Sequence, residues 1–184
     1  MKINLPFGKT IIFRFTIFNT PKVFTTGICS RCKDGKHVIF LDYDHQEINE
    51  IYNEIKEIQE KYKLSNAFVF ALDRPDSYHV IILDKFNATQ AMEIMQETNV
   101  DPDYIGRIYH KWHEWVLRCE DKGNRKKPVY NSIIPSKYDN HEISTAHKQF
   151  LETYYGIPKI IYLKEDYISE LKIVHYNTGN RVKK

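Results

Sequence analysis

The residues best suited to chemistry stand at the end of an apolar run, His37-Val38-Ile39-Phe40-Leu41-Asp42-Tyr43-Asp44. Val38 to Leu41 are β-branched, aromatic or aliphatic, the make-up of a buried strand. Side chains alternate along a strand, so Asp42 and Asp44 point to the same face. Two neighbouring carboxylates repel unless a cation lies between them. Hard cations such as Mg²⁺ or Mn²⁺ take oxygen ligands, often one or two carboxylates together with substrate phosphates. The pair therefore reads as half of a metal–phosphate site. An isolated Asp-x-Asp can equally mark where a strand leaves the core.

Two more groups complete the candidate set. Ser77-Tyr78-His79 opens an apolar stretch running to Leu83, and Arg118-Cys119-Glu120 closes the stretch that begins at Glu114. Both stretches read as strands. Between them lie two helical patterns. Ile48, Ile51, Ile55, Ile58 and Tyr62 form one apolar stripe separated by Glu and Lys. Asn87 or Thr89 can cap a second helix through Met92 and Met95. Ala67–Leu72 is a further strand, closed by the turn Asp73-Arg74-Pro75-Asp76.

From Val38 to Glu120 the expected order is thus β-α-β-β-α-β. This is the ferredoxin-like, RRM-like arrangement, in which the first strand lies between the third and the fourth. On that layout the two helices cover the face of Ile39, Leu41 and Tyr43. The opposite, open face collects Asp42, Asp44, Ser77, His79, Arg118 and Glu120. Carboxylates there could hold divalent metal. Ser77 and His79 could donate to phosphates, and Arg118 could grip one with its planar fork.

At these residues the chain resembles the archaeo-eukaryotic primase superfamily. Phe40-Leu41-Asp42-Tyr43-Asp44 matches that family's hydrophobic strand ending in Asp-x-Asp. Ser77-Tyr78-His79 matches its Ser-x-His element, and Glu120 stands for the acid after a later hydrophobic strand, with Asp121 as the alternative register. The resemblance covers residues 36–122. It implies a metal-dependent nucleotidyltransferase of primase–polymerase type, acting in DNA replication or repair. Asp42, Asp44 and Glu120 would be the catalytic metal ligands for Mg²⁺ or Mn²⁺. Ser77, His79 and Arg118 would bind the incoming nucleoside triphosphate. The expected partners are single-stranded or primer-template DNA, with any helicase or other replication protein supplied separately.

The fold class expected is α+β in a single domain: a β-rich segment over 1–35, the catalytic core over 36–122 and a small α/β extension over 123–184. In the first segment Thr10–Phe18 should pair with Lys22–Thr26. In the last, Val129–Ile134 reads as a strand and Ile143–Tyr155 as a helix closed by Gly156. Ile160–Leu163 and Leu171–Val174 read as a final strand pair. Lys122, Arg125, Lys126 and Lys127 surround Gly123 in a loop that follows the Arg118 strand. Arg125, Lys126 and Lys127 are the candidates for contacting nucleic-acid phosphates.

Bulk properties narrow the classes. A net charge of +3 in 184 residues does not by itself call for nucleic acid, although a basic patch can be local. No apolar run is long enough for a membrane span, and the start lacks a signal-peptide core, so a soluble intracellular (cytoplasmic) protein is expected. The three cysteines are too few and of the wrong parity for a disulfide framework. Cys29-Ser30-Arg31-Cys32 has half the spacing of a zinc site, but no second Cys-x-x-Cys completes four ligands, and zinc is not expected.

Other classes fit less of the pattern. A glycosyltransferase with Asp-x-Asp needs a larger nucleotide-binding unit ahead of it. A rolling-circle nickase needs His-x-His and a helical tyrosine, for which only Tyr109-His110-Lys111 is suggestive. An ordinary base-stacking RRM would place acids where phosphates approach. A catalytically impaired primase-like domain that only binds nucleic acid remains the main rival.

Overall fold

Local patterning accounts for the helices. In α1 (Ile48–Tyr62) Ile51, Ile55 and Ile58 are buried along one stripe, and Lys63 closes the helix in the left-handed region with its N–H on Gln59 O. In α2 (Ala88–Gln96) the Asn87 side chain accepts from Gln90 N, and the Gln90 side chain accepts from Asn87 N. This reciprocal pair fixes the start of the helix.

The computed structural model describes residues 2–4, 10–12, 24–109, 113–139, 142–157 and 173–177. The remaining elements in chain order are β1 (Lys2–Asn4), β2 (Thr10–Ile12), β3 (Phe24–Cys29), β4 (His37–Asp44), β5 (Ala67–Ala71) and β6 (Ser77–Phe86). They continue with α3 (Pro102–Ile105), a 3₁₀ turn (Gly106–Tyr109), β7 (Val116–Arg118), β8 (Val129–Ile134), α4 (Thr145–Tyr154) and β9 (Ile173–Asn177). The protein is a mixed α+β molecule with antiparallel sheets. One sheet has the order β4-β6-β5-β8, a second β7-β3-β9, and β1 pairs with β2.

The order β4-β6-β5 is the first–third–second arrangement expected of the core. The fourth strand differs. β7 does not pair with β4 but with β3, placing Ile28 opposite Leu117. The two sheets join where β3 turns into β4: Ser30 N donates to Trp115 O at 2.8 Å, and Val38 N to Ser30 O at 2.9 Å. A three-residue strand carries too little local pattern to choose its neighbour; pairing with β3 buries Leu117 and seats Trp115, whose Nε1 donates to Ile105 O at 3.0 Å. The expected partners of Lys22–Thr26 within Thr10–Phe18 fall on residues 13–18, outside the described residues. β2 pairs with β1, and β3 takes its partners from β7 and β9, far along the chain. Residues 13–23 and 160–163 of the expected strands lie outside the described residues, as do 171 and 172; β9 covers the rest of the final strand.

β6 runs three residues past the expected end. Its continuation carries Asp84 and Lys85, whose charges hid it. Both are buried and paired: Asp84 Oδ2 accepts from Ser65 N at 3.0 Å and Ser65 Oγ at 2.6 Å, and Lys85 Nζ meets Asp34 at 3.0 Å. Such pairing is what permits charge inside a sheet.

The face of Phe40, Asp42 and Asp44 was expected to be open, and most of it is covered. Phe40 packs edge-on against His147 of α4, with ring centres 5.8 Å apart. Phe70 of β5 meets Tyr155 at 4.5 Å. Phe40, Phe68, Phe70 and Ile81 are all buried. Only the end of β4 that carries the two acids opens outward, with Asp42 half-buried and Asp44 exposed. The four-stranded sheet is thus packed on both sides, which is why its strands read as continuous apolar runs.

The Cys-x-x-Cys segment is a hairpin turn. Cys32 N donates to Lys36 O and Gly35 N to Cys32 O, with Gly35 at φ +83°. Neither cysteine is in a disulfide, and both are buried. His147 Nε2 lies 2.7 Å from Cys29 O, so it donates there, and its Nδ1 is left to accept from Ser144 Oγ at 2.6 Å. Burial holds the His147 ring neutral, with its pKa lowered to about 4. No helix among the described residues is long and apolar enough to cross a membrane.

Candidate functional site

β4 and β6 are antiparallel neighbours, and their register sets the site. Asp42 lies opposite His79, and Asp44 opposite Ser77. The first two expected motifs therefore meet side by side at one end of the sheet. Both strands stop there at residues with positive φ: His45 follows Asp44 at +60°, and Asp76 precedes Ser77 at +48°. Gln46 N donates to Asp76 O at 2.8 Å and ties the two ends together. His and Asp are among the non-glycine residues that tolerate this region best.

His79 is buried and holds its Nε2 3.4 Å from Asp42 Oδ1. That contact is too long for a well-formed hydrogen bond, and among the described residues no donor meets Oδ1 with hydrogen-bond geometry. Burial alone would raise the Asp42 carboxyl. His79, Arg107 and Arg74 outweigh it and hold the carboxyl below its usual value. Asp44 is more exposed and accepts a two-pronged contact from Arg74: Nη1 to Oδ2 at 3.2 Å, and Nη2 to Oδ1. Ser77 Oγ donates to Pro75 O at 3.0 Å and so closes its own turn.

The third expected motif sits on the other sheet. Arg118 Nη1 donates to Glu120 O and Lys126 O, each at 2.7 Å, so the guanidinium shapes the loop that follows β7. The Glu120 carboxylate accepts from the Tyr154 hydroxyl. Asp121 Oδ1 accepts from Lys127 N at 2.7 Å. Among the described residues no three His, Cys, Asp or Glu side chains gather into a metal-sized group. Glu120 thus forms no three-ligand group with Asp42 and Asp44 among the described residues. The Asp pair with its undonated buried oxygen still has the donor chemistry of a hard divalent cation.

The basic loop reaches the same end of the molecule. Lys122 and Arg125 bridge each other across Gly123, and Lys126 N donates to Asp73 Oδ2 at 2.9 Å. Asp73 adjoins Arg74, which grips Asp44. Arg125, Lys126 and Lys127 are exposed. Lys127 Nζ lies 5.0 Å over the Tyr154 ring.

Two residues that sequence reading did not assign to this site, Arg74 and Arg107, belong here, and Lys122 of the expected basic loop lies close to both. Arg74 lies in the β5–β6 turn. Arg107 lies in the 3₁₀ turn, its guanidinium 4.8 Å from the Tyr104 ring centre. Lys122 is half-buried, and its pKa is lowered by burial and by the positive charges of Arg125, Arg118, Arg74 and Arg107. A cluster of cations thus surrounds the approach to two carboxylates. The position of Arg74 just ahead of Ser-x-His was a usable signal. Arg107 reaches the site only through tertiary packing.

No family model, no curated protein and no solved structure matches this chain.

Proposed function

We propose that this protein is a metal-dependent nucleotidyltransferase of primase–polymerase type, with an RRM-like core. The observation that carries the reading is the β4–β6 register, which sets Asp42 against His79 and Asp44 against Ser77, with Arg74 and Arg107 acting on Asp42 and Lys122 close to both arginines. Acids that favour a divalent cation and bases that favour polyphosphate occur together, which is what a metal–nucleoside triphosphate needs.

In this reading Asp42 and Asp44 hold Mg²⁺ or Mn²⁺, which would stabilise charge on the attacking and leaving oxygens. His79 steadies Asp42 and presents its ring to the triphosphate. Arg107, Arg118 and Lys122 supply positive charge for the phosphates. The 3′-hydroxyl of a DNA strand attacks the α-phosphate, and pyrophosphate leaves. Arg125, Lys126 and Lys127 hold the backbone of single-stranded or primer-template DNA. Asp42→Ala with Asp44→Ala should abolish nucleotide incorporation on a primed template while the fold survives. Full incorporation by the double variant, with normal melting, removes the assignment.

One observation favours a second reading. Glu120, which would complete the metal set, is engaged by Tyr154 instead. A primase-derived domain that binds DNA without synthesis fits that arrangement. Such a domain would bind primer-template normally and incorporate nothing, with or without Mn²⁺.

A further inference from the structure

Arg74 holds Asp44 with a guanidinium fork. Each carboxylate oxygen takes one nitrogen of the fork. A carboxylate can accept such a bidentate contact, but the same lone pairs cannot also serve as inner ligands to a metal. The contact is partly open to water, with side-chain exposures of 27% for Arg74 and 43% for Asp44. A pair at such a position is weak and exchangeable. The backbone that carries Arg74 is fixed on both sides: Asp76 O accepts from Gln46 N at 2.8 Å, and Asp73 Oδ2 from Lys126 N at 2.9 Å. The turn therefore keeps the guanidinium beside the acids while its long side chain retains freedom to leave them. Asp42 has no equivalent fork, and its Oδ1 is undonated. The two acids are thus treated differently, one left receptive and one covered.

We propose that Arg74 is a positioning residue that competes with the divalent cation for Asp44. The free protein then holds its carboxylate pair latched in a metal-poor state. This rests on the reading of Asp42 and Asp44 as metal ligands. The latch has two physical effects. It relieves the repulsion between the acids when no metal is bound. It also makes loading depend on Arg74 finding another acceptor, and the phosphates of an incoming nucleotide are acceptors of the right charge.

The test is Mn²⁺ binding to the full chain without nucleotide, followed by the electron paramagnetic resonance of free Mn²⁺. Arg74→Ala should tighten Mn²⁺ binding by about two- to fivefold, the scale of one half-exposed ion pair. Arg74→Lys, which keeps the charge but loses the fork, should fall between the two. Asp44→Asn should weaken Mn²⁺ binding both alone and when combined with Arg74→Ala. Circular dichroism melting checks folding, and Arg74→Gln replaces the alanine variant if that one does not fold. If Arg74→Ala binds Mn²⁺ no more tightly than the natural protein while Asp44→Asn still weakens binding, the competition is overturned and the metal pair stands. If Mn²⁺ binding is indifferent to Asp44→Asn, alone and in the combination, the metal pair falls and the latch falls with it.

Discussion

At the scale of single residues, His79 is the group whose role is most sharply testable. It is buried, lies opposite Asp42 and leans toward it without a full hydrogen bond. If its ring turns to a nucleotide phosphate, His79→Ala should weaken nucleotide affinity about ten- to hundredfold, the scale of one hydrogen bond to a charged group. Isothermal titration with Mn²⁺ and a non-hydrolysable triphosphate reads this directly. DNA affinity should change much less. An unaltered nucleotide dissociation constant in a normally folded variant would reduce His79 to a structural neighbour of Asp42. The motifs Asp-x-Asp and Ser-x-His were legible because each is a local spacing on one strand. The latch by Arg74 was not, because it joins a residue of the β5–β6 turn to one on β4, 30 positions away in the chain.

At the scale of elements, α4 closes the second face of the four-stranded sheet, and His147 is its anchor. The ring spans from Ser144 to Cys29 O while packing on Phe40. Its folded pKa, lowered to about 4 by burial, lies below the ordinary unfolded value of about 6.5. Between those values the unfolded chain binds the extra proton and the folded chain does not. Stability is therefore complete above about pH 6.5 and falls as pH drops toward 4. By about pH 5 the loss should be roughly 2 kcal/mol for this group. His37, also lowered to about 4, chiefly by burial, adds to it. Urea unfolding at about pH 7.5 and about pH 5 measures the difference, and His147→Gln should make it smaller. Equal pH dependence in the two proteins would show that the ring is not the titrating group. The elements themselves were largely readable: α1, α2, β5, β8 and α4 fall where periodicity and caps predict them. β7 came out shorter and β6 longer than expected, the latter because buried, paired Asp84 and Lys85 look like a strand end.

At the scale of the whole molecule, the net charge of +3 conceals an uneven distribution. Arg107 and Arg74 act on Asp42, and Arg125, Arg118, Arg74 and Arg107 act on Lys122, so positive charge gathers at the open end of the sheet. Arg125, Lys126 and Lys127 extend it outward from the turn that bonds to Asp73. Replacing these three with Ala should weaken single-strand and primer-template binding for all sequences alike. The slope of log affinity against log salt should become shallower by about one to two units. Nucleotide affinity should hold steady, since the three side chains lie on the exposed loop. Fluorescence anisotropy across a salt series decides it. An unchanged affinity and slope would make the loop a solvated turn.

The chain's own sequence determined which residues share a strand and which helices carry an apolar stripe. Both follow from alternation and from 3.6-residue periodicity, which act over a few residues. It therefore determined that Asp42 and Asp44 point together, and that Ser77 and His79 begin one strand. Tertiary structure alone decided that β7 pairs with β3, which puts Arg118 and Glu120 beside a second sheet instead of beside β4. It also decided that α4 covers the face expected to be open, and that Arg107 joins Arg74 in acting on Asp42. These outcomes depend on which distant surfaces bury the most apolar area and satisfy the most backbone groups, a competition among long-range pairings that no short window of sequence contains.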